Sequence, residues 1–136
     1  MISATIYSCI MLAASSYNIN PTMLYGIYKN EGGSPGYVYE NTNDTQDLGV
    51  MQINTVWLPK LSKKWDISED TTRKLLRDDA CLNVKTAAWI LKGHLNSEKN
   101  PIIAIGNYHS KTPHLNLKYR TKFLANLEKE GLIKGK

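Results

Sequence analysis

Residues 20–54 read NPTMLYGIYKNEGGSPGYVYENTNDTQDLGVMQIN. Asn20 is a good helix N-cap, and Pro21 suits the first helical position, where its missing N–H is not needed. Leu24, Ile27 and Tyr28 then form an apolar stripe at helical spacing. Gly32-Gly33 ends the helix directly after Glu31, and Pro35-Gly36 confirms the break. Beyond it the helical period disappears. Tyr37-Val38-Tyr39 has strand character, Asn41 to Thr45 is turn-rich, and Leu48 to Ile53 is again apolar. The stretch predicts a helix that ends on an acid and runs into a small, irregular β-hairpin lobe.

Helices are predicted on both sides of this lobe. Residues 3–17 form a first one, which stops at Asn18-Ile19-Asn20. After the lobe, Asn54 or Thr55 caps a short helix with Trp57, Leu58 and Leu61. Ser68-Glu69-Asp70 opens another, through Leu75 and Leu76. Asp79 caps a longer one, with Val84, Ala87, Ala88, Leu91 and Leu95 at 3–4 spacing. Asn100-Pro101 starts the next, to Tyr108. Thr112-Pro113 starts the last, through Leu117, Leu124 and Leu127 to Gly131. The expectation is a mainly α chain of about seven helices with one β excursion. It has no linker and no repeat, so residues 1–136 are expected to form a single domain.

Composition narrows the function classes. The 17 Lys and Arg exceed the 12 Asp and Glu, for a net charge of +5, which favours an anionic polymer as partner. The basic residues form no long run, only the clusters Lys60, Lys63, Lys64 and Lys118, Arg120, Lys122. With no nucleic-acid motif, no nucleic-acid partner is expected. Apolar stretches are too short for a membrane span. The N-terminus, Met1 to Tyr7, lacks the basic start and apolar core of a signal peptide, so an exported protein would have had its signal removed. Two cysteines, Cys9 and Cys81, fit either one disulfide in an oxidising compartment or two buried thiols in the cytosol.

Three features carry chemistry. Glu31 stands at the boundary between helices and β lobe, where a cleft can hold a long polymer, and its glycine neighbours allow close approach. Gly49-Val50-Met51-Gln52-Ile53-Asn54 follows, and then Ala104-Ile105-Gly106-Asn107-Tyr108-His109-Ser110, a helix end of unusual polarity. His94, His109 and His114 lack paired metal-ligand spacing, so no metal and no cofactor are expected. His94 reads as a surface helix residue and His109 as a candidate sugar contact. Trp57, Trp65 and Trp89 read as core, with room for one to stack on a sugar.

Taken in this order, the acidic helix end, Gly-Val-Met-Gln-Ile-Asn and Asn-Tyr-His-Ser resemble the lytic transglycosylases of the soluble-transglycosylase-like group, in the lysozyme-like superfamily. The likeness is greatest to the peptidoglycan-cleaving enzymes of type III and type IV secretion and conjugation systems. It runs from about Cys9 to about Lys122 and includes Asn20-Pro21 and Asp79-Ala80-Cys81-Leu82-Asn83-Val84. It implies that Glu31 is the catalytic acid and that Gly49, Val50, Met51 and Gln52 match the family's Gly-Leu-Met-Gln motif, with Gln52 bonding sugar. Asn107 and Tyr108 match the Tyr-bearing motif, whose hydroxyl sits near the glutamate. In the secretion-associated members a similar cysteine pairs with one in the first helix, which implies a Cys9–Cys81 bridge. One departure stands out: the family usually has Ser after the glutamate, and here it is Gly32.

The implied reaction cleaves the β-1,4 bond between N-acetylmuramic acid and N-acetylglucosamine. Glu31 protonates the leaving oxygen, then acts as base on the muramic 6-hydroxyl, giving 1,6-anhydro ends. A carboxyl in an apolar pocket formed by Met51, Tyr108 and a tryptophan would keep the proton near neutral pH. Thr45 to Asn54 also resembles the animal (c-type) lysozymes, whose second carboxylate stands two residues before the glycine. Asp47 holds that place, so a lysozyme-type hydrolase using Glu31 and Asp47 is the alternative, and a non-catalytic glycan-binding module a third. The implied setting is the periplasm, with peptidoglycan strands as substrate, a secretion-system inner-rod or base protein as partner, and a monomer as the working state.

Overall fold

The computed structural model describes residues 2–134. The expected domain of residues 1–136 takes in Met1, Gly135 and Lys136, which lie outside the described residues. The described chain forms seven α-helices and a small three-stranded sheet, a mainly α lysozyme-like fold. The helices are α1 (Ala4–Tyr17), α2 (Pro21–Glu31), α3 (Leu58–Trp65), α4 (Glu69–Asp78), α5 (Ala80–Ser97), α6 (Pro101–His109) and α7 (Pro113–Lys129). The strands β1 (Val38–Glu40), β2 (Gln46–Leu48) and β3 (Ile53–Asn54) lie between α2 and α3, and a 3-10 turn (Thr55–Trp57) leads into α3.

Capping places most of these ends. The side chains of Ser3, Asn20, Asn54, Ser68, Asp79 and Asn100 each accept a backbone N–H of the turn they start. Each such cap contributes on the order of 1 kcal/mol. α1 ends on Asn18 and α2 on Gly32, both in left-handed backbone. The last helix departs from the sequence expectation. Leu117 is 51% exposed, and the buried face is Asn116, Tyr119, Phe123 and Leu127. Two polar-capable residues hold core positions there, because each finds hydrogen-bond partners.

α5 is the central helix, packed against α1, α4, α6 and β3. Its inner face of Val84, Ala87, Ala88 and Leu91 is fully buried. α2 packs on α1 and α7, with Gly26 lying against the Phe123 ring and leaving no room for a Cβ. Cys9 of α1 and Cys81 in the first turn of α5 form a disulfide across 72 residues. In the chain-entropy account a loop of that length contributes about 4 kcal/mol. No helix among the described residues is long and apolar enough to cross a membrane.

The sheet runs antiparallel in the order β1-β2-β3, with Val38 opposite Leu48 and Asp47 opposite Asn54. Leu48 and Ile53 face the core. One side chain of α5 fixes the turn between them. Asn83 is fully buried; its Oδ1 accepts the Met51 N–H at 2.7 Å, and its Nδ2 donates to the carbonyls of Leu48 at 2.8 Å and Leu76 at 2.7 Å. Asn83→Ala strands all three backbone groups. It is expected to cost about 3 kcal/mol or more, read as a lower urea midpoint with an unchanged slope.

Candidate active site

A cleft of about 550 Å³ separates the β lobe from the helical body. Glu31, Asp47, Gln52, Asn107, Tyr108 and His109 all line it, together with Asn54, Trp57, His94 and the β-lobe residues Tyr39 to Asn43. Of the predicted site residues, Gly49, Val50 and Met51 do not line it. Val50 and Met51 are fully buried beneath its floor. They serve the cleft through their backbone and their packing.

Backbone geometry brings Glu31 to that floor. Gly32 ends α2 at φ +64°, donating its N–H to the Tyr28 carbonyl at 3.0 Å. A Cβ there would meet nothing, so a serine, which the resemblance implies at this position, would have space but would strain the left-handed backbone. Gly33 is more constrained. A Cβ on it would drive into the carbonyls of Gly49 and Val50. The end of α2 and the 49–52 turn therefore meet main chain to main chain. Within the turn, Gly49 takes φ +70° and Gln52 φ +53°. The Gln52 Nε2 donates to the Gly49 carbonyl at 2.9 Å, which holds the amide in place at the cleft wall.

Two tyrosine hydroxyls stand in this region, and only one of them bonds the Glu31 carboxylate. Tyr108 donates to the Met51 carbonyl at 2.9 Å and so ties α6 to the turn. The group on the carboxylate is Tyr119 of α7, whose hydroxyl donates to the Glu31 Oε2 at 2.7 Å. The Tyr119 ring stacks on His109, with centroids 5.0 Å apart and planes 4° from parallel. α7 also grips the end of α2 through Asn30. The Asn30 Nδ2 donates to the Tyr119 carbonyl at 3.0 Å, its Oδ1 accepts from Asn126 at 2.7 Å, and its carbonyl accepts from Lys122 at 3.2 Å.

Other residues escaped the sequence reading. His94, expected on the surface, is half-buried and lines the cleft; of the three tryptophans, one of which was expected near the sugar, Trp57 lines it. Asn116 crosses from α7 to the end of α6. Its Nδ2 donates to the Asn107 Oδ1 at 2.9 Å and to the Ile103 carbonyl at 3.1 Å, and Gly106 has no Cβ to block it. The buried row Asn116, Tyr119, Phe123, Leu127 has helical spacing, a signal present in the sequence but masked by the more apolar Leu117 and Leu124.

These surroundings set the charge state of the site. Burial pushes the Glu31 carboxyl up to about 7, against the opposing Tyr119 hydrogen bond. Within that value the negative charge of Asp47 adds to the rise, and Lys122 counteracts. Burial also holds the His109 imidazole below its usual range, with Asp47 opposing. Asp47 itself accepts from the Asn54 Nδ2 at 2.9 Å, so it is oriented within the same cleft. Among the described residues no three His, Cys, Asp or Glu side chains cluster to hold a metal.

The arrangement is a protonatable carboxyl on the wall of a groove open to a polymer, among amides suited to sugar hydroxyls. The family model described as "Transglycosylase SLT domain" matches residues 8–123. "Invasion protein IagB" of Salmonella typhimurium is 32% identical over 126 residues, covering 89% of this chain and 76% of its own length. "Protein IpgF" of Shigella flexneri is 29% identical over 116 residues, covering 85% of this chain and 73% of its own. "Peptidoglycan-binding-like protein" of Escherichia coli O157:H7 is 29% identical over 126 residues, 88% and 74%. The chain belongs to the transglycosylase SLT domain family, and it is a lytic transglycosylase that acts on peptidoglycan.

Proposed function

We propose that the chain cleaves the β-1,4 bond between N-acetylmuramic acid and N-acetylglucosamine with Glu31 as its single acid/base, releasing 1,6-anhydro ends. The observation that carries this reading is the Glu31 carboxyl, partly buried on the cleft wall and pushed up to about 7. A general acid works best when its pKa lies near the working pH. Glu31 gives its proton to the leaving glycosidic oxygen as that bond breaks. The carboxylate then takes the proton of the muramic 6-hydroxyl, whose oxygen closes onto the anomeric carbon. The Tyr119 hydroxyl steadies the ionised form between these steps. Gln52, Asn107 and His109 line the cleft as sugar contacts. Gly49, Val50, Met51 and Tyr108 hold the floor on which the glycan rests.

A second reading is a lysozyme-type hydrolase. It is favoured by Asp47, which lines the same cleft and whose charge acts on Glu31. In that case the Asp47 carboxylate stabilises the oxocarbenium-like charge and water replaces the 6-hydroxyl. We further infer that the protein is a monomer acting in the periplasm. There it opens the wall locally for a secretion or conjugation apparatus, in contact with one of that apparatus's inner-rod or base proteins. The relative named as an invasion protein fits a role at the cell envelope.

Mass spectrometry of muropeptides released from purified sacculi decides between the two chemistries. Anhydro-muramic ends are expected, abolished with Asp47 intact by Glu31→Gln, which should cost about a hundredfold or more in rate. Reducing ends alone would leave only the hydrolase, and equal lysis by wild type and Glu31→Gln would leave neither.

The raised Glu31 value also links activity and stability to pH. The acid form is lost as pH rises through about 7, so kcat/KM is expected to fall on that limb. Tyr119→Phe removes the hydrogen bond that favours the carboxylate, so the limb should move to higher pH; a limb that stays or moves down contradicts the assigned role. For stability, the folded state binds the Glu31 proton more tightly than the unfolded chain does. Stability is therefore lost as pH rises from about 4.5 through about 7, by about 3 kcal/mol from this group. Thermal melts of Glu31→Gln should match wild type near pH 4 and exceed it above pH 7.

A further inference from the structure

A shallow pocket of about 230 Å³ adjoins the cleft, between the end of α1, the 3-10 turn, α3 and α5. Trp57 and Ile90 line both, so the two surfaces are continuous. Trp57 and Trp89 meet edge to face there, with ring centroids 5.5 Å apart. The Lys60 Nζ lies 5.9 Å from the Trp57 centroid and 5.5 Å from that of Trp89, and the Lys64 Nζ lies 5.3 Å from Trp89. Lys92 lines the same pocket. None of these three lysines forms an ion pair among the described residues.

We propose that this shelf of Trp57, Trp89, Lys60 and Lys64 is a binding site for the carboxylate-bearing stem peptides that branch from the glycan strand. The inference rests on the peptidoglycan-cleaving reading of the adjoining cleft. Three features favour an anionic ligand over another sugar. Ammonium groups already cover the indole faces, so those faces present charge rather than a bare ring for stacking. The rings hold the lysine heads in place without neutralising them, which lowers the ordering cost of meeting a carboxylate. And Lys60 and Lys92 line the pocket continuous with the cleft, with Lys64 beside them over the Trp89 ring, within reach of a substituent projecting out of a groove-bound polymer. Each muramic residue carries its peptide on the lactyl group, pointing away from the backbone of the strand, and that peptide bears several carboxylates. The shelf thus reads the substituent while the cleft holds the sugars.

The test measures binding, in a Glu31→Gln background so that strands stay intact. Soluble glycan strands carrying their stem peptides are compared with the same strands after an amidase has removed them. Wild-type shelf residues should favour the peptide-bearing strands, and the preference should fade as salt is raised. The double variant Lys60→Gln, Lys64→Gln should bind peptide-bearing strands about three- to tenfold more weakly and peptide-free strands unchanged. The charge-keeping pair Lys60→Arg, Lys64→Arg should restore the affinity. Equal affinity of the unaltered shelf for both strands, loss of the same size on both, or no loss on either would overturn the proposal. The cleavage reading fails on a different measurement, the products formed by active enzyme, so the two failures are distinguishable.

Discussion

A carboxyl group must be kept out of water and yet be reachable by a polymer. Everything around Glu31 serves that pair of demands. Burial is the main cause that raises its proton affinity, to about 7. The associated cost of about 3 kcal/mol at higher pH is a large part of the net stability of a typical domain. The helix that ends on Glu31 must be stopped there, its end held against the floor of the cleft, and its oxygen met by a single donor. Gly32, Gly33 and Tyr119 do these three things. The long disulfide-closed loop offsets the strain on stability by constraining the unfolded chain.

Buried amides join the parts. Asn30 binds the end of α2 to α7, Asn83 binds the 49–52 turn to α5, and Asn116 binds the end of α6 to α7. Each has hydrogen-bond partners for its donors and acceptors, and no buried side-chain nitrogen or oxygen among the described residues lacks one. A fully paired amide network fixes one arrangement of backbone, because any slip leaves costly groups unpaired. Apolar packing brings these elements together without direction, whereas the amides set where each wall of the cleft stands.

Much of the fold was legible in the sequence because local chemistry announces it. Asn20-Pro21, Asp79 and Asn100-Pro101 cap the helices they were expected to cap. The change from helical to irregular pattern after Glu31 marks the β lobe, whose third strand is too short to show a period. Glu31, Asp47, Gln52 and the 107–109 segment could be picked out, and they meet in one cleft. Tyr119 was not, since the helical row it belongs to is masked by Leu117 and Leu124, and that row says nothing of its partner. Its role comes from α7 crossing the end of α2, a contact between residues 88 apart. A contact across 57 residues likewise hid the bond from Tyr108 to the Met51 carbonyl.

The contact of Gly33 with the main chain at Gly49 and Val50 has a wider consequence. Where two lobes are joined through side chains, the gap between them can drift as those side chains change. Here part of the seam is backbone against backbone, so at that point the spacing of the jaws is a property of the fold itself. Evolution is then at liberty to refit the lining for different wall architectures while the gauge of the groove stays constant.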